Sequence, residues 1–208
     1  MRNLLIALMI AIGSVFTTTA VSADSFTDGK NYISLRNQVA TQSPEQIEVI
    51  EFFWYGCEFC HRLEPAINSW EQRLPQDVNF IRVPAMFGGQ WDLPAQMFYS
   101  LEAINARAEL HDAIFTALHR DNRRLASQRD ITSFVSEHGV DADEFTKAWN
   151  SFSVKSNMQK AKRLAISYQV SSVPTMAVNG KYRFDISSAG GLVETTELAD
   201  FLIEQERK

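Results

Sequence analysis

Cysteine is scarce in this chain: its 208 residues hold two, Cys57 and Cys60. One pair cannot staple a scaffold of the kind small exported domains use when their core is thin. Proline (six) and glycine (nine) are also few, which excludes collagen-like and low-complexity chains. No apolar run reaches the about 20 residues that a membrane-spanning helix needs. A basic excess is missing too. Lysine and arginine number 20 against 25 aspartates and glutamates, a formal net charge of −5, so the basic footprint of a nucleic-acid binder is excluded. What is there is ordinary globular composition, 45% hydrophobic and 22% charged.

The first residues read as a leader. Arg2 and the amino terminus make a positive start, Leu4 to Ile12 is unbroken apolar, and small residues at Val21 and Ala23 fit a cleavage site. A cut after Ala23 leaves residues 24–208 as an exported chain with no membrane span. That chain is long enough to bury a core without staples, and it folds where disulfides persist. Two cysteines three apart then point to chemistry rather than scaffolding.

The body of the chain changes character twice. Ile47 to Tyr55 is almost wholly apolar, β-branched or aromatic, the pattern of a strand buried on both faces. Asn31 to Leu35 reads as a short strand before it. A helical stripe of Cys60, Leu63, Ile67 and Trp70 follows Gly56, with Pro65 placed to kink it. Val78 to Val83 reads as a second core strand. From Trp91 to about Tyr168 the period is helical throughout, with Gly139 as a stop and Asp141 or Asp143 as a cap. Thr175 to Val178 and Lys181 to Phe184 flank Asn179-Gly180, a strong hairpin signal. Glu194 to Glu204 reads as a last helix. A helical block between two halves of a sheet indicates one α/β domain with a helical insertion, placed at about 88–155.

Cys57-Glu58-Phe59-Cys60 lies where the buried strand meets the helix. Free backbone N–H groups and the positive end of the helix dipole there favour a thiolate at Cys57. Cys60, one turn in, is close enough for a disulfide. The expected asymmetry is an exposed nucleophile, Cys57, and a shielded resolving thiol, Cys60, working by thiol–disulfide exchange. Three other readings stand beside this one. A structural disulfide is possible in principle, but so short a loop constrains little. Cys57 to His61 also spells the attachment pattern of c-type haem, although 185 residues is a large chain for one haem. Zinc would have three candidate ligands, Cys57, Cys60 and His61, where a structural site wants four.

Glu51 is a lone carboxylate in the apolar run. Buried, it would hold a raised pKa and act as a proton relay for Cys60; at a strand edge it would simply be solvated. Glu64, one turn beyond Cys60, either tunes the site electrostatically or is a surface charge. Val173-Pro174-Thr175 precedes the hairpin, with Pro174 either an ordinary first-strand proline or a cis one.

The stretch VIEFFWYGCEFCHRLEP, a helical block, and then SSVPTMAVNGKY together resemble the DsbA family of periplasmic thiol:disulfide interchange proteins. The likeness covers essentially the whole chain after the leader. It implies a thioredoxin-like fold with an inserted helical domain, periplasmic location and a redox-active cysteine pair that needs no cofactor or metal. It implies that Cys57 attacks or is attacked and that Cys60 resolves. Pro174 would be cis and face the dithiol, and Val173, Pro174 and Thr175 would bind substrate, Val173 offering backbone to an extended strand. Glu51 and Glu64 fall where the family carries acidic residues. The implied partners are unfolded or reduced exported proteins and a membrane quinone-linked, DsbB-type reoxidant, with the chain a monomer.

One departure bears on direction. The best-known members carry Pro-His between the cysteines, where this chain has Glu58-Phe59. Glu58 puts a negative charge beside Cys57, which leaves reductase-like or isomerase-like roles open. The Cys57 pKa is expected to be higher than in Pro-His members and the couple less oxidising, so replacing Glu58 with Pro and Phe59 with His should lower that pKa. An ultraviolet titration of the thiolate checks this.

Overall fold

The computed structural model describes residues 26–208, so the expected leader at 1–23 lies outside the described residues. Five strands form one mixed sheet: β1 (Ile33–Ser34), β2 (Ile47–Phe53), β3 (Val78–Pro84), β4 (Thr175–Val178) and β5 (Tyr182–Asp185), in the order β1-β5-β4-β2-β3. The apolar run read as a central strand is β2. It pairs parallel to β3 and antiparallel to β4. The parallel pair needs a crossover, and α1 (Glu58–Glu71) supplies it. That helix continues through Pro65, whose missing N–H leaves the His61 carbonyl without its usual partner.

Alternation along β2 builds two cores. Val49 faces Leu63, Ile67 and Trp70 of α1 and Leu198 and Leu202 of α8 (Leu192–Glu206). Ile50 and Phe52 face the other way, against Ala161, Ala165 and Tyr168. Those belong to the inserted helices: α2 (Asp92–Ala103), α3 (Arg107–His119), α4 (Gln128–Glu137), α5 (Ala142–Trp149) and α6 (Phe152–Ser167). Ser127, Asp141 and Ser151 each accept a backbone N–H at the start of α4, α5 and α6, the capping chemistry that starts a helix. The expected insertion limit near 155 falls inside α6, which runs unbroken to Ser167.

The insertion also clamps the end of β2. The Phe53 ring lies 5.5 Å from Phe98 of α2, and Tyr55 lies 5.0 Å from Phe115 of α3. The segment entering α1 is thus held by helices that join the chain much later.

Two features differ from the sequence reading. The first strand is two residues long rather than five. A short α7 (Ile186–Ala189) follows β5, started by reciprocal bonds between Asp185 and Ser188; four residues are too few to show a helical period. The hairpin forms as read, with Asn179 at φ 49° and Gly180 at φ 71°, the left-handed pair of a type I′ turn. A Cβ on Gly180 would meet the Val39 carbonyl oxygen. Gly180→Ala is therefore expected to cost about 1–3 kcal/mol, read as a lower urea midpoint.

Candidate active site

Cys57 is the N-cap of α1, in extended conformation at φ −92° and ψ 117°. Its Sγ accepts the Cys60 backbone N–H at 3.4 Å. Both cysteines are free, Cys57 half-buried and Cys60 fully buried. A hydrogen bond from the Cys60 thiol leads in pulling the Cys57 pKa down to about 6. Burial opposes it; the backbone N–H groups of Cys60 and Phe59 and the charge of His119 assist. Cys60 moves the other way, pushed up first by burial and then by Cys57. The pair thus carries one thiol poised to ionise and one held protonated.

The loop before β4 closes over this pair. The Val173-Pro174 peptide is cis, and the Val173 carbonyl lies 3.5 Å from the Cys57 Sγ, accepting from it when it is a thiol. Phe59, 56% exposed, borders an open groove with Val173, Pro174, Ile186 and Gly191. Thr175 is placed differently from its two neighbours. It is buried, and its hydroxyl donates to the Ser172 carbonyl at 2.8 Å, so it braces the loop from behind instead of facing the groove.

Glu51 is fully buried, which removes the solvated alternative. In the β2–β3 register it stands opposite Arg82, but its Oε2 lies 3.6 Å from the Arg82 Nε, and neither carboxyl oxygen has a hydrogen-bond partner. Arg82 gives its bonds elsewhere: to Glu71 at 2.6 Å, Asn68 at 2.8 Å and Glu64 at 3.4 Å. Burial foremost, and then the Glu64 charge, push the Glu51 carboxyl well above its ordinary range, and Arg82 offsets only part of this. Glu64 is buried as well, not a surface charge. It is held below the usual carboxylate value, burial being outweighed by His111 and Arg82. His111 joins it to Tyr55, with Nε2 3.1 Å from Glu64 and Nδ1 2.8 Å from the Tyr55 hydroxyl oxygen. The two nearby carboxyls are therefore pushed in opposite directions, Glu51 up and Glu64 down, an arrangement suited to moving a proton.

Four site residues escaped the sequence reading. Arg82 had a visible signal: like Glu51, it is a single charge in an apolar strand. Tyr55 was read only as part of a strand. His111 and His119 come from α3 and carry no local mark. His119 stands at the rim, with Nε2 2.8 Å from the Tyr55 carbonyl and Nδ1 3.1 Å from a Glu58 oxygen. Glu58, His61 and His119 each bring one ligand atom within 4.8 Å of the others. The two imidazoles stack only 15° from parallel, so their planes do not converge on a common ion. Phe53, Met86 and Met97 are core, whereas Trp54 is part-exposed and stacks on Trp91 at 4.1 Å.

Comparison with known proteins agrees with this geometry. Residues 48–197 match the family described as a DSBA-like thioredoxin domain. The chain belongs to that family. The thiol:disulfide interchange protein DsbA of Pseudomonas aeruginosa is 49% identical over 207 residues, covering 100% of this chain and 98% of that one. Its counterpart in Azotobacter vinelandii is 48% identical over 211 residues, covering 100% and 99%. A crystal structure of Pseudomonas aeruginosa DsbA superimposes with a TM-score of 0.86 at 50% identity, over 89% of this chain and 96% of that one. The fold is the thioredoxin-like fold of DsbA, and the chain is a disulfide oxidoreductase working through its cysteine pair. The haem reading fails on burial as well, because Cys60 has no surface open to a vinyl group. No helix among the described residues is long and apolar enough to cross a membrane.

The raised Glu51 pKa has a consequence for stability. The folded chain holds this proton more tightly than the unfolded chain, so the contribution of Glu51 is intact below its ordinary value of 4.5 and lost as pH rises above it. Glu51→Gln is expected to be more stable than the parent at pH 7, by about 1–3 kcal/mol. The gain should vanish near pH 4. Urea unfolding at the two pH values checks both statements.

Proposed function

We propose that this chain donates its Cys57–Cys60 disulfide to reduced exported proteins in the periplasm. The observation that carries the reading is the opposed pair of thiols, Cys57 drawn down to about 6 and Cys60 buried and pushed up. A thiol stabilised as its anion is a good leaving group, and a couple whose reduced form is stabilised is an oxidant.

In the oxidised protein a substrate thiolate attacks the Cys57 Sγ. The Cys57–Cys60 bond breaks, a substrate–Cys57 mixed disulfide forms, and Cys60 leaves with the electron pair. A thiolate is costly in that buried position, and Glu51, protonated by its own burial, supplies the proton. A second substrate thiolate then attacks the substrate sulfur of the mixed disulfide. The substrate disulfide forms and Cys57 leaves as a thiolate at the head of α1. Two electrons pass from substrate to protein, which ends as a dithiol. Val173, beside the cis Pro174 and 3.5 Å from the Cys57 sulfur, is placed to pair with an extended substrate backbone. A quinone-linked, DsbB-type membrane partner docked at the same rim would restore the disulfide. The protein works as a monomer.

Three measurements test this. Cys57→Ser should abolish oxidation of a reduced peptide, and Cys60→Ser, given a disulfide-bonded peptide for the Cys57 thiolate to attack, should hold the mixed disulfide that Cys60 would otherwise release, visible on non-reducing gels. The reduction potential, from glutathione equilibria followed by tryptophan fluorescence, should fall at about −120 to −180 mV. A value near about −250 mV would reverse the direction and make the chain a reductant, the role the Glu58-Phe59 dipeptide keeps open.

A further inference from the structure

The dipeptide between the cysteines carries no cation. It carries a carboxylate, Glu58, next to the thiol that has to ionise. By itself that charge works against the thiolate. The structure supplies its counterweight from another part of the chain.

We propose that His119, with Glu58 as its counter-ion, brings a cation to the rim beside Cys57, so that this oxidoreductase adds a charge from its inserted helices to the hydrogen-bond donors of its own motif. The proposal deepens the assignment of Cys57 as nucleophile and rests on it.

Three features of the structure converge on His119. Its ring brackets Cys57, one nitrogen against the carbonyl of Tyr55, two residues before, and the other against the side chain of Glu58, one residue after. Both partners are acceptors. A neutral imidazole carries one N–H and leaves one of these contacts as acceptor against acceptor, whereas the imidazolium donates to both. The ring also lies in the last turn of α3, where the helix dipole favours a cation. Its side chain is only 12% exposed, against 62% for Glu58, so the cation is the less screened of the two charges.

The charged groups around His119 fit this assignment. From α1 come Glu58 and His61, the latter stacked at 4.9 Å and disfavoured as a cation by burial and by His119 itself. Arg120 follows in the chain and Phe115 stacks alongside. His119 is among the influences that lower the Cys57 pKa. Its bond to Tyr55 adds a positional role, since it holds the strand end that leads into the cysteine.

The test is the ultraviolet titration of the thiolate in the reduced, full-length mature protein. His119→Gln and His119→Ala should raise the Cys57 pKa by about one unit, about tenfold less thiolate at a pH below both values. The equilibrium with glutathione should move by a similar factor toward the disulfide form of the protein. His119→Lys, which restores a positive charge without the ring, should bring the pKa most of the way back. In the His119→Ala background, adding Glu58→Gln should lower the pKa, because the carboxylate left there is unpaired. A parental value near 6 that His119→Ala and His119→Gln leave unchanged overturns the proposal alone. So does a raised value that His119→Lys fails to rescue, which would make the ring a structural prop. A parental thiol titrating at its ordinary value overturns the assignment of Cys57 as well.

Discussion

The sulfur of Cys57 sits at the first turn of a helix, and the rest of the site is arranged around making it an anion there. The Cys60 backbone N–H and thiol both point at it. A helix start leaves several backbone N–H groups without carbonyl partners, so the local geometry offers donors at no extra cost. What it does not offer is asymmetry. That comes from depth: three residues on, Cys60 turns into a core formed with Phe53, Tyr55 and Phe98, where its own anion has no solvation. One α-helical turn thus separates a thiol that ionises readily from one that resists.

Beneath the dithiol the chain tolerates something costly. Glu51 and Arg82 stand opposite each other in the sheet interior, too far apart for a hydrogen bond, while Arg82 is engaged by Glu64, Glu71 and Asn68. A buried carboxyl without a hydrogen bond, facing a shared cation at 3.6 Å, is expensive when charged and far less so when neutral. The fold therefore favours the neutral form of this carboxyl, beneath the buried Cys60. The helical insertion helps to seal this buried charge network by placing His111 between Glu64 and Tyr55.

The insertion is accordingly more than a cover. Through Phe98 and Phe115 it fixes the end of β2, through His111 it completes the buried charge network, and through His119 it reaches the rim beside Glu58. On the opposite side the loop of cis Pro174 closes the approach, braced by the inward-facing Thr175 hydroxyl. The dithiol is held between two segments that both come later in the chain, α3 and the Pro174 loop.

Much of this was readable before any coordinates, because it depends on neighbours along the chain. The apolar run of β2, the stripe of α1, the Asn179-Gly180 turn and the cysteines at the strand–helix junction are all local patterns set by the periods of strand and helix and by glycine's access to positive φ. The shielding of Cys60 was legible from its place on the apolar stripe of the helix, whereas Cys57, expected to be exposed, is half-buried. Other features were undecidable locally. Whether Glu51 was buried depended on β3 and β4 flanking it, whether Glu64 was a surface charge depended on α3 lying over it, and Thr175 could face substrate or core until the loop was placed. Arg82, His111 and His119 became site residues only by approach through space. Side-chain ionisation and burial depend on distances of a few ångströms between segments far apart in sequence, and packing alone sets those distances.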